Sequence, residues 1–242
     1  MRRAPGPDVD LSVYAKAVPL LVRNPVIIVV PVLMAVIGVF LQLTMLSYGG
    51  GAMGSLTGQL AVFITFMLEM FGLGAACIIA DDAWRHRRAS FENGWAEARN
   101  RGGDILFAAL GVTLLFFAAR YVGSMIGPLA IVLTVLVAVF LIWTVPAAAI
   151  GGVPGNAAIQ ASIDRVRGAP LPAVIAAIVA VALLWIGVPH LSEYLSGWIM
   201  LLTGSFIVDL LVSALVQGIA VSYVALVITK TYTEAAFGTR RW

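Results

Sequence analysis

The sequence predicts an all-α membrane protein, with six transmembrane helices forming three hairpins and a short cytoplasmic amphipathic helix ahead of each hairpin. Composition is the first reason. Of 242 residues, 61% are hydrophobic and only 11% charged, with a mean hydropathy of +1.01, well outside the range of soluble domains. The second reason is span length. A hydrocarbon layer of ~30 Å takes about 20 apolar residues per helix, and once six such runs are counted little chain remains for a soluble domain. A third observation orients the spans. The longest polar interval, DDAWRHRRASFENGWAEARNRGGD from Asp81 to Asp104, holds Arg85, Arg87, Arg88, Arg99 and Arg101, five of the fifteen Lys and Arg residues. Basic residues beside spans stay on the cytoplasmic side.

Residues 9–22 mix Asp10, Ser12 and Lys16 with Val9, Val13, Ala17 and Leu20 at helical spacing, the pattern of a helix lying at a membrane surface, with Pro19 expected to break or kink it. The first span is expected over residues 25–48. It lacks a small-residue cleavage site and is expected to be retained. A Gly-rich, uncharged turn, SYGGGAMGS, leads to the second span over 56–80.

Within the polar interval, Ser90 can cap a second amphipathic helix over 90–101, with Glu92 in its first turn and Phe91, Trp95 and Ala98 on one face. Spans over 105–122 and 129–150 follow. Asn156 can cap the third amphipathic helix, 156–167, whose apolar face is Ile159, Ile163 and Val166. It closes on Arg165-Val166-Arg167-Gly168, much as the second closes on Arg99-Asn100-Arg101-Gly102. The last two spans, 171–189 and 199–229, are separated by HLSEYLSG. The final apolar run is longer than a straight crossing needs, so it must tilt, kink near Gly218 or begin at the interface.

Arg2, Arg3, Lys16, Arg23, the five arginines of the polar interval, Arg165, Arg167, Lys230, Arg240 and Arg241 fall on one side of a six-span chain: fourteen of the fifteen basic residues. Both termini are therefore expected in the cytoplasm of a multi-pass protein of the inner cell membrane. The arginines of the polar interval are matched by Asp81, Asp82, Glu92, Glu97 and Asp104. A net charge near zero argues against a polybasic lipid switch or a phosphate-backbone binder, so nucleic acid is not an expected partner. The expected partners are the bilayer and another membrane or cytoplasmic protein.

Ionisable groups inside the bilayer are functional hypotheses by default. Glu69, Arg120 and Asp209 qualify, with Gln217 as a weaker addition. At ~1.5 Å per residue, Arg120 lies roughly 24 Å, Glu69 roughly 18 Å and Asp209 about 31 Å above the cytoplasmic boundary. Arg120 snorkelling outward moves towards Asp209, which predicts an Arg120–Asp209 pair and leaves Glu69 protonated or hydrogen-bonded to a polar neighbour. A proton or ion pathway needs such groups facing a wet cavity; a structural network needs them paired and dry.

Catalysis finds little support in the residues. His86 and His190 lie in separate polar stretches, Ser192 and Ser196 read as turn residues, and the sequence carries none of the GxSxG, HExxH, P-loop or CxxC patterns. No cluster has metal-ligand spacing, no cofactor is expected, and the single cysteine, Cys77, reads as a packing residue.

The stretches SVYAKAVPLLVRNPVIIVVPVL, ADDAWRHRRASFENGWAEARNRGGDIL, AIQASIDRVRGAPLPAV and VSYVALVITKTYTEAAFG together resemble a loose group of bacterial and archaeal six-span membrane proteins. That group is related to the membrane domain attached to some glycerophosphodiester phosphodiesterases. The resemblance implies a membrane module, sometimes fused to a hydrolase. The tail TYTEAAFGTRRW cannot form a catalytic barrel, so no catalytic residues carry over. The expected function is a non-enzymatic assembly or regulatory membrane module; the alternative is a small-solute or ion transporter using the intramembrane carboxylates.

Overall fold

A computed structural model describes residues 10–48, 51–125, 127 and 129–237. Val9, Arg2, Arg3, Arg240, Arg241 and part of the Gly-rich turn lie outside these residues. The described chain is all-helical: α1 Ser12–Arg23, α2 Val26–Tyr48, α3 Gly51–His86, α4 Phe91–Asn100, α5 Gly102–Met125, α6 Leu129–Leu141, α7 Thr144–Ala149, α8 Gly155–Gly168, α9 Pro170–Val181, a π-helical turn Ala182–Gly187, α10 Val188–Thr203 and α11 Phe206–Phe237. Six segments are long and apolar enough to cross a membrane, as in a multi-pass membrane protein: 26–45, 56–86, 102–125, 131–149, 170–203 and 206–236.

α3 and α11 form the centre. Leu73 to Ala80 of α3 are buried on every face, as are Val224 to Thr229 of α11. The other helices close around them: α2 packs on both, α5 and α7 pack on α3, and α1, α9 and α10 pack on α11. Small residues set these distances. A Cβ on Gly218 would stand 2.8 Å from Val32 Cα, so only glycine lets α11 meet the α2 backbone there. α11 runs helical through Gly218, which serves this close packing.

Four expectations are revised. α1 continues through Pro19, because Pro19 and Ala15, whose carbonyl loses its helical donor, both lie on the exposed face. The polar interval begins as helix: α3 extends to His86 on the buried Ala83 and Trp84, with i,i+4 contacts from Asp81 to Arg85 and from Asp82 to His86. The span over 129–150 breaks at Ile142–Trp143, where Pro146 cannot donate to Ile142 and the freed Trp143 N–H donates to Ser162 Oγ at 3.2 Å. HLSEYLSG is helical as well. Residues 170–203 run continuously because the chain widens into the π turn just before Pro189, and they stop only at Gly204, whose φ of +60° forms a left-handed cap. These 34 residues extend ~51 Å, so the segment outruns a ~30 Å core or tilts within it.

The short helices keep their places; α1 buries the expected Val13, Ala17 and Leu20, whereas α4 and α8 are rotated from the expected faces. α4 buries Gly94 and Ala98, leaving Phe91 38% exposed and stacked on Trp95, because Gly94 admits Ile79 of α3 against its backbone. α8 buries Ala158, Ser162 and Val166, with Ile159 and Ile163 only half-buried. α1 buries Val13, Ala17, Leu20 and Leu21.

Candidate functional site

The four intramembrane candidates do not form one cluster. Arg120 lies exposed on the outward face of α5, beside Tyr121, which is 66% exposed. Asp209 sits in the first turn of α11, where a negative charge suits the helix N-terminus, and its Oδ1 is buried without a hydrogen-bond partner. α5 packs on α3, α4, α6, α7 and α8, and α11 on α1, α2, α3, α7, α8, α9, α10 and the π turn, so the two helices share α3, α7 and α8 as neighbours. No ion pair joins Arg120 to Asp209, and the expected pairing is wrong. Depth along the span placed the two side chains near one another; the rotational setting of α5 leaves Arg120 on the exposed outer face of the bundle.

Glu69 meets Gln217 instead, side chain to side chain, where α3 crosses α11. Gln217, the weaker candidate in the sequence, is thus the polar neighbour that Glu69 needed. Around this pair the hydroxyls are engaged by backbone carbonyls. Thr65 donates to Gly38 O at 3.2 Å, and Ser222 to Gly218 O at 2.6 Å and Ile27 O at 3.2 Å. Thr113 donates to Ala109 O at 2.7 Å. These contacts join helices and cap carbonyls, and they leave separate polar islands. An interior cavity between α3, α5, α6, α9, the π turn and α11 is lined by hydrophobic side chains; neither Glu69 nor Gln217 reaches it.

The charged end is where polar side chains converge. Asn24, only 3% exposed, occupies the α1–α2 turn and bridges to the α3–α4 turn. Its Nδ2 donates to Leu20 O at 3.0 Å and Arg87 O at 3.4 Å, and its Oδ1 accepts from Ala89 N at 2.8 Å. Arg87 presents that carbonyl from a left-handed backbone, φ 61°. Ser90 caps α4 as expected, accepting from Asn93 N, and its own N–H donates to Asp82 Oδ2 at 3.2 Å. The cap of α8 is not Asn156. Asp104, from α5, accepts from Gly155 N at 2.9 Å, and Gly155 is required because a Cβ there would stand 2.8 Å from Phe107 Cβ.

α11 is tied into the same end. Trp84 Nε1 donates to Leu226 O at 2.9 Å, Lys230 pairs with Glu234 at 3.4 Å and lies 5.7 Å from the Trp84 ring, and Arg165 stacks 4.4 Å over the fully buried Tyr232. Arg85 pairs with Asp81 at 2.7 Å, Arg101 with Glu97, and Arg167 with Asp164 at 3.7 Å; Arg87, Arg88 and Arg99 are exposed. At the start of α1, the Ser12 hydrogen bond holds Asp10 below its ordinary pKa, while burial pushes the Tyr14 phenol up to about 12.

No known protein family, curated protein or solved structure matches this chain. Its own residues must carry the functional reading. Among the described residues no three His, Cys, Asp or Glu side chains group as metal ligands. His86 is joined to Asp82 at 2.7 Å, an i,i+4 helix contact.

Sequence reasoning missed Asn24, Trp84 and Asp104 as organising residues. The signal for Asn24 was its place directly before Pro25, where a helix must stop and its last carbonyls need donors. For Trp84 it was an indole within an otherwise charged run, and for Asp104 a carboxylate at the start of a span. Nothing in the sequence points to their partners, which lie 51 to 142 residues away.

Proposed function

We propose that this chain is a non-enzymatic membrane module of the inner cell membrane, acting in assembly or regulation through its charged end. In this reading the six spans form three hairpins, and α1, α4 and α8 are amphipathic helices at the inner leaflet. Both termini are cytoplasmic, and the partner is a membrane or cytoplasmic protein that meets the charged tier. The observation that carries the reading is the division of polar groups. Those at the charged end knit α1, α3, α4, α5, α8 and α11 into one tier, whereas those within the spans are scattered, with the hydroxyls of Thr65, Thr113 and Ser222 on backbone carbonyls and Asp209 apart from Glu69 and Gln217.

The transport alternative rests on the Glu69–Gln217 contact and on the unpartnered Asp209 Oδ1. A conduction path needs polar groups in sequence along a wet passage, and the lining of the cavity beside α3 supports the module instead. The test is flux in proteoliposomes containing the full chain. Proton and small-cation flux equal to that of empty liposomes is expected; flux that vanishes in Glu69→Gln establishes transport and overturns the module. Labelling of single cysteines in residues 81–104, in a Cys77→Ala background, by an impermeant reagent added from outside would overturn the orientation.

A further inference from the structure

The cavity between α3, α5, α6, α9, the π turn and α11 has a volume of about 90 Å³ and is open on one side. That is several times the ~10–15 Å³ that holds a single water, so the space is larger than the ordinary voids of a packed interior. Phe66, Phe116 and Trp185 form one wall, with Phe66 and Phe116 rings 5.6 Å apart and Phe116 meeting the edge of Trp185 at 5.6 Å. The far side is floored by Ala138, Ala177 and Ala180, residues too short to fill the space between helices.

The π turn is the second observation. Residues 182–187 contribute no buried side chain, and both Leu184 and Trp185 line the cavity, so this segment stands between the cavity and the lipid side. A π turn adds a residue to the helical circumference and occurs mostly where function selects it. Here it places Trp185, 43% exposed, at the boundary between the interior and the bilayer. The medium outside that boundary is hydrocarbon. Dry apolar cavities take apolar guests, and this lining is hydrophobic apart from the indole N–H of Trp185 at its edge.

We propose that this cavity takes one lipid acyl chain, which enters from the bilayer past Trp185, with the π turn as its gatepost. The headgroup stays outside the lining, so both a phospholipid and a free fatty acid can supply the chain. The recognition is by shape and apolar contact, with the Phe66–Phe116–Trp185 wall against the methylenes.

The test uses the full chain in mild detergent, titrated with stearate brominated at mid-chain and, separately, with phosphatidylcholine carrying one such chain. The reading is Trp185 emission, taken as the difference between the protein and Trp185→Phe. A saturable quench at one equivalent is expected, superposed on the non-saturable quenching from the micelle. The fatty acid and phospholipid arms identify the source. Ala138→Phe, and Ala177→Leu from another helix, are expected to weaken saturable binding at least about tenfold by occupying the same space. The absence of a saturable component in both arms overturns the proposal on the unsubstituted protein alone, whether or not either filled variant folds. Undiminished quenching in folded Ala138→Phe and Ala177→Leu overturns it too, by placing the chain elsewhere.

Discussion

Replacing Asn24 by Ala removes the one side chain that joins the α1–α2 turn to the α3–α4 turn. Three hydrogen bonds go with it: to Leu20 O, to Arg87 O and from Ala89 N. Leu20 O keeps a backbone donor, because Asn24 N reaches it at 3.1 Å, so that loss is small. The other two are different. Ala89 N–H and Arg87 C=O sit in an irregular four-residue connection between α3 and α4, and without Asn24 they lose the partner the fold supplies. A net ~0.5–1.5 kcal/mol per hydrogen bond, with ~1–3 kcal/mol where a buried group is left unmade, gives a loss of roughly 2–4 kcal/mol for the variant.

The assay is equilibrium unfolding in mixed detergent micelles, followed by far-ultraviolet circular dichroism and by Trp84 fluorescence, with Asn24→Asp beside Asn24→Ala. Asp keeps an acceptor for Ala89 N–H but loses both Nδ2 donors and puts a carboxylate at a buried position, so no recovery of stability is expected at neutral pH. If Asn24→Ala loses less than about 0.5 kcal/mol, the ordinary range for an unengaged surface position, the bridge does not hold the two turns together and the reasoning fails.

Two further substitutions probe the spans. Gly218→Ala brings a Cβ against the α2 backbone at Val32 and is expected to destabilise by ~1–3 kcal/mol despite alanine's better helix propensity, whereas Gly197→Ala, with open space around it, is expected to gain ~0.5–1 kcal/mol; unfolding of the two in parallel checks the sign. Arg120→Leu is expected to stay within about 0.5 kcal/mol of the parent in the same unfolding assay, because the guanidinium faces outward; a loss of ~3 kcal/mol or more would reveal a buried carboxylate partner after all.

Helix existence and span number were legible because apolar runs of 20 residues leave few alternatives in a membrane. Helix ends were less so. HLSEYLSG reads as a loop by composition, yet its backbone bonds are satisfied within a helix that stops only at Gly204, between Thr203 and Ser205. The break at Trp143 depends on Ser162, nineteen positions away, and the α8 cap on Asp104, fifty-one away. Counting ~1.5 Å per residue orders side chains along a span but says nothing of their direction around the helix axis. That is why Arg120 was matched to the wrong partner and Gln217 ranked below it. The apolar cavity had no sequence signal: alanines at 138, 177 and 180 look like ordinary span residues until α6 and α9 leave the same space unfilled.

The two ends of the bundle are built differently, and this bears on which end acts. At the charged end, eight consecutive α3 residues from Leu73 to Ala80 are buried, and α11 is buried through Thr229 and again from Thr231 to Thr233. At the other end Leu201 and Leu202 are each 80% exposed and Ile207 is 62% exposed, as suits side chains that pack on lipid rather than on protein. Local opening follows the density of such contacts, so the uncharged end opens at lower free energy than the tier around Asn24, Trp84 and Asp104. A surface that must present a fixed arrangement to a partner belongs on the rigid end, where Arg87, Arg88 and Arg99 stand exposed on turns and a helix whose backbones are pinned from beneath. A chain that exchanges with the bilayer belongs nearer the yielding one. The π turn lies between them, at the point where α9 leaves the alanine-packed interior and α10 begins its exposed course.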